Sequence, residues 1–193
     1  MTSPAPAISA SRLLDVLETS LHASKSEWLF LRELRVSTGL RNRGGQRLDA
    51  FALNTLPHLA MKRICYEVKV SRADFFCELR QPLKRRVGMR YSNEFFFVTP
   101  ANLLDPGEVP VEAGLVEAGY ASPDEWRAIL TRQNGYFHYD AATCGYCIVT
   151  VPAPWRDTPG PTWQFTAAML RNQQYMIHPG RVNRVVQERL TFE

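Results

Sequence analysis

Apolar and polar positions follow two rhythms along this chain. Leu13, Leu14, Val16, Leu17 and Leu21 recur at helical spacing behind Ser9 and Ser11, either of which is a competent N-cap, so a helix is predicted over Ser11 to His22. Trp28-Leu29-Phe30-Leu31 runs into Arg32-Glu33-Leu34-Arg35-Val36, whose alternation predicts a first strand. Residues 37–46 are turn chemistry rich in Gly and Asn. Two more strands are expected at Leu48 to Leu53 and Ile64 to Val70, joined by a connector that holds Pro57. Ser71-Arg72-Ala73-Asp74, ahead of Phe75, Phe76 and Leu79, has the form of a capping box with Asp in the place of Glu or Gln, and it opens a helix. Pro82 ends or kinks that helix, and Lys84 to Arg90 continues as another.

Glu94 to Val98 is a short apolar run between Asn93 and Pro100, the mark of a buried fourth strand. A loop with Pro106 and Pro110 leads to a fifth strand at Gly114 to Ala118. Beyond it, Tyr136 to Tyr139 and Tyr146 to Val151 read as strands, Pro152 to Pro161 as a proline-rich loop, and Phe165 to Tyr175 and Val182 to Leu190 as helices. The order predicts an α/β domain: a small mixed central sheet flanked by helices. Residues 1–10, rich in Ser, Pro and Ala, are expected to be a flexible tail, and residues 11–193 a single domain.

The 193 residues, 45% hydrophobic and 22% charged, suffice for one domain with a real core. No apolar run approaches the roughly 20 residues that span a bilayer, so no membrane partner is expected. The N-terminal stretch lacks the basic end and apolar run of a secretory signal, and four cysteines do not make a disulfide scaffold. A reducing cytoplasm is the expected compartment. The net charge of +4 is unevenly spread: Lys62 to Arg90 holds nine Lys and Arg against three Asp and Glu. Such a segment is either a solvated helix face or a surface for a polyanion.

The candidate chemistry lies in two apolar strands that carry ionisable residues. Glu67 and Lys69 sit at i and i+2 and share a strand face, and pairing of the strands brings Asp49 to them. Burying two carboxylates and an ammonium is costly without partners. A hard cation such as Mg²⁺ or Mn²⁺ would offset that cost through carboxylate oxygens, and a structural ion-pair cluster is the other solution. Asp74 reads as a helix cap. Arg72, Lys84, Arg85 and Arg86 are candidates for phosphate contacts, as is Arg43 beside Arg41 and Gly44-Gly45. Cys144-x-x-Cys147 with His138 nearby lacks the second ligand pair that a zinc site needs. The remaining cysteines and the aromatic clusters read as core.

Asp49 followed by Glu67-x-Lys69 resembles the PD-(D/E)XK nuclease superfamily, with Leu48 in the place of the proline. Arg47-Leu48-Asp49, Tyr66 to Phe75, Lys84, Glu94 to Val98 and Val109-Pro110-x-x-Ala113-Gly114-Leu115 look like its MmcB-type DNA-repair branch, over residues 30–120. The resemblance implies a restriction-endonuclease-like fold and a metal-dependent deoxyribonuclease. In it, Asp49, Glu67 and the carbonyl of Val68 hold Mg²⁺ (or Mn²⁺), and Lys69 positions or activates the attacking water. Glu33 is an additional catalytic carboxylate or a surface residue. DNA is the expected partner and a homodimer is possible. A non-catalytic DNA-binding or adaptor protein on the same fold is the alternative.

Overall fold

The computed structural model describes residues 8–36, 46–131 and 136–177. The three predicted leading strands form an antiparallel meander of β1 (Trp28–Val36), β2 (Gln46–Asn54) and β3 (Arg63–Val68). β1 and β2 pair along their length, whereas the β2–β3 ladder runs only from Leu53↔Arg63 to Ala50↔Tyr66. β3 ends one residue before Lys69, whose N–H still bonds the Val98 carbonyl at 2.9 Å.

β4 (Glu94–Pro100) and β5 (Gly114–Tyr120) add in parallel, reached through α2 (Arg72–Leu79), α3 (Arg85–Tyr91) and a loop with a short 3-10 turn at Pro106–Glu108. β6 (Tyr136–Asp140) and β7 (Gly145–Val151) close the far edge antiparallel, giving the order β1-β2-β3-β4-β5-β7-β6. The fold is mixed α/β, but its sheet has seven strands among the described residues and is larger than the small sheet expected.

Helices cover both faces. α1 (Ala10–Ser20) takes Ser9 as its N-cap, with the Ser9 hydroxyl accepting from Arg12 N–H, and so begins inside the stretch expected to be a tail. Its Leu13, Leu14, Val16 and Leu17 pack on Phe30, Ala50, Ala52, Tyr66, Val98 and Val116. The other face carries α2, α3 and α5 (Trp163–Ile177), which bury Phe75, Phe165, Ala168 and Met169 against Leu31, Phe51, Phe95 and Phe97. α3 can lie close to β3 because Gly88 has no side chain: a Cβ there would stand 2.7 Å from Cys65 Sγ. A third cluster gathers Trp126 of α4 (Pro123–Leu130), a helix the periodicity did not suggest, with Tyr146 and Ile148.

The expected helix at Val182 to Leu190, the turn at 37–45 with Arg43, and residues 1–7 lie outside the described residues. Among the described residues no helix is long and apolar enough to cross a membrane.

Candidate active site

The β2–β3 ladder stops at Ala50↔Tyr66, and Asp49 on β2 and Glu67 on β3 are the next residues beyond it. The Asp49 carboxylate takes the place of a strand carbonyl: its Oδ2 accepts from the Val68 N–H at 3.0 Å. A slip in side-chain alternation accompanies this opening. Leu31 and Leu34 on β1, and Leu48 and Phe51 on β2, share one core cluster although each pair is three residues apart. The slip falls at Glu33 and Asp49, and Glu33 takes it up with a left-handed φ of 51°.

Glu67 and Lys69 meet as the i, i+2 spacing predicts, with Lys69 Nζ 2.8 Å from Glu67 Oε1. Asp74 Oδ2 and Glu78 Oε2 of α2 each lie 3.7 Å from the same ammonium, which is 6% exposed. Asp74 therefore turns its carboxylate to Lys69, while its N–H is capped by Ser71 at 3.2 Å. Burial, and then the Asp49 charge, push Glu67 up to about 7, with Lys69 offsetting only part. For Lys69 burial opposes the charged form, but Glu67, Asp74 and Glu78 outweigh it and raise the pKa.

The donor set has two carboxylates. Glu33 lines the same cleft but is exposed, its Oε1 3.7 Å from Arg47. No three His, Cys, Asp or Glu side chains come together as a metal-holding group among the described residues. Asp49 Oδ1 and Glu67 Oε2 accept no hydrogen bond among the described residues. Two such oxygens with one backbone carbonyl fit magnesium, which uses one or two carboxylates and fills its other positions with water and substrate phosphate.

The expected phosphate contacts divide. Arg85 is a correction: it is buried, lies over the Phe97 ring, donates to the Glu78 carbonyl at 3.1 Å and reaches Glu112 at 3.3 Å. The first turn of α3 packs on the sheet and folds this side chain inward, so it holds α2 and the loop before β5 rather than a ligand. Arg72 is half-exposed but committed to Glu108 (2.8 Å) and the Leu103 carbonyl (3.1 Å). Lys84 and Arg86 are exposed and do not line the cleft. Besides Lys69 and Arg32, which is paired with Asp15 and Glu18, the cations on the cleft are Arg35 and Arg47, a cross-strand pair, and Arg171 of α5. Arg35 and Arg47 flank the carboxylates in sequence; nothing local marks Arg171, which the fold delivers from a distant helix. Of the C-x-x-C pair, Cys147 is buried against α1 and Cys144 sits in a left-handed turn at φ 58°.

No family model matches the chain, and no curated protein matches it. The solved structure of a protein of unknown function from Silicibacter pomeroyi is similar, at 17% identity and a TM-score of 0.52, covering 89% of this chain and 94% of that one. That likeness is one of fold alone.

Proposed function

We propose that this protein is a metal-dependent deoxyribonuclease with a restriction-endonuclease-like fold of the PD-(D/E)XK type, acting in DNA repair, recombination or phage DNA processing. The observation that carries the reading is the gathering of Asp49 and Glu67 where the β2–β3 ladder stops, with Asp49 bonded to the Val68 N–H and Lys69 held at Glu67. Asp49, Glu67 and the Val68 carbonyl are the residues that would hold Mg²⁺ or Mn²⁺. Such a cation, when bound, supplies positive charge to the phosphate and lowers the pKa of a water. Lys69 keeps its proton beside Glu67, where it can orient a water or meet negative charge developing on phosphate. Arg35, Arg47 and Arg171 place cations at the mouth of the same cleft.

A non-catalytic DNA-binding or adaptor role is favoured by one observation, the enclosure of Lys69 by three carboxylates. The two readings separate in a panel of linear, nicked, branched and single-stranded DNA incubated with Mg²⁺ or Mn²⁺. Wild-type protein is expected to cut at least one substrate, and Asp49→Ala and Lys69→Ala each to lose cutting by 100-fold or more while staying folded. DNA that is bound but left whole under both metals supports the adaptor. Cutting that survives in both variants overturns the site assignment.

A further inference from the structure

The cleft over Asp49 and Glu67 has a volume of about 1020 Å³. Besides the strand ends it is walled by Ser11 and Leu14 of α1, Asp74 of α2, and Ala168 and Arg171 of α5. α1 stands over one face of the sheet and α5 over the other, so the carboxylates lie at the bottom of a slot between two helices. We propose that this slot admits one unpaired polynucleotide strand, gripped through its phosphates by Arg35, Arg47 and Arg171, without reading base sequence. This deepens the nuclease reading of the same site and rests on it.

Size is the first argument. The volume is at the upper end of about 300–1,000 Å³, the range of sites that engulf a small ligand. A duplex, whose major groove alone is ~12 Å wide, is too broad to be enclosed in that space. One strand, thin and flexible, reaches the floor.

Charge is the second. Arg35 and Arg47 are direct cross-strand neighbours, and like charges directly opposite each other destabilise a sheet. Among the described residues Arg47 has only long ion-pair contacts, to Glu33 at 3.7 Å and Asp49 at 3.8 Å. Arg35 and Arg171 form no ion pair among the described residues. A run of phosphates would relieve this repulsion, and the arginines would in turn screen those phosphates from the carboxylates below. The lining itself is the third argument. None of its described side chains is aromatic, so the slot offers no platform on which bases stack. Recognition then falls to the backbone, which carries no sequence information.

The test uses the full chain and fluorescence anisotropy, with Ca²⁺ replacing Mg²⁺. The probes are a mixed-sequence single-stranded DNA, its RNA counterpart, a second DNA of unrelated sequence, and the blunt duplex. Single strands are expected to bind at least tenfold tighter than the duplex and to differ from one another by less than threefold. Affinity should fall steeply with salt, since each phosphate contact on a single strand contributes a slope of about 0.7 in log K against log salt. Arg35→Gln, Arg47→Gln and Arg171→Gln should each lower that slope by about 0.7 and together lower affinity at least tenfold, with unchanged circular dichroism. Arg127→Gln, on the exposed face of α4, should change neither. Duplex bound as tightly as single strand, a tenfold preference for one base sequence, or unchanged binding in the combined variant overturns the inference. Tight single-strand binding without cleavage defeats the nuclease reading alone, and equal handling of duplex with cleavage intact defeats the inference alone.

Discussion

The imidazole of His22 lies against Trp28 and Phe30, with ring centroids 4.4 and 5.3 Å away, and its Nε2 is 2.9 Å from the Tyr66 hydroxyl. Burial, with Lys62 adding to it, pushes its pKa down to about 3. Glu67 is displaced in the opposite sense, up to about 7. The signs follow from which state takes up the proton. Below the ordinary histidine value of about 6.5 the unfolded chain gains a proton that the folded chain refuses, so His22 lowers stability progressively from there towards pH 3. By pH 4 the effect is on the order of 3 kcal/mol. Glu67 holds its proton longer when folded, so its contribution is present below the ordinary value of 4.5 and is lost as pH rises through about 7. Urea midpoints measured from pH 4 to 8 should therefore show an acid limb that flattens in His22→Phe and a limb between about 4.5 and 7 that flattens in Glu67→Gln. Identical profiles in wild type and variants would contradict both environments. Residues such as Asp49, Glu67 and Lys69 were legible because charge is out of place in an apolar strand. Arg85 was misread because sequence shows a charge but not the direction in which its side chain folds.

Short elements follow local rules, and two of them show where such rules succeed and fail. Ser122 and Glu125 form a full capping box, with Ser122 Oγ accepting from Glu125 N–H and Glu125 Oε2 accepting from Ser122 N–H, yet α4 went unread because its eight residues are too few turns to establish a helical period. The β2–β3 connection ends in a tight turn in which Lys62 N–H bonds the Leu59 carbonyl at 3.2 Å. Its two central residues, Ala60 and Met61, have φ of 54° and 47°. That geometry belongs to a turn that prefers Asn-Gly, since left-handed backbone costs roughly 1–2 kcal/mol for ordinary side chains. Replacing Ala60→Asn and Met61→Gly together should stabilise the protein by about 1–2 kcal/mol, read as a higher urea midpoint with an unchanged m-value. A lower midpoint would show that the native side chains contribute more than the backbone strain costs. The strands themselves were legible from alternation or from short apolar runs, but the slip at Glu33 and Asp49 was not, because it exists only where two strands distort together.

At the scale of the whole molecule, the first strand and the last described helix depend on each other. Asn172 Nδ2 donates to the Arg32 carbonyl at 3.0 Å across 140 positions of sequence. Phe165 meets Phe51 at 5.2 Å and stacks on Tyr91 at 4.1 Å. A chain ended at Gly160 would uncover Phe51, Leu31 and Leu34, so it should bind a hydrophobic dye and lose its cooperative thermal transition. A truncated chain that melts as sharply as the full one would show that α5 is an accessory. The sheet order past β5 and the packing of α5 were beyond sequence reading, since both are set by contacts between segments with no local signature in common.

The distance along the chain between the carboxylates and α5 also sets a clock. Glu67 and Arg171 are separated by about 100 residues, which a ribosome adds in roughly 5–20 seconds. During that interval the emerging polypeptide carries Asp49, Glu67 and Lys69 but not the wall that closes over them. A newly made molecule thus acquires a finished slot only once Arg171 has been added, after the rest of the sheet has had time to form.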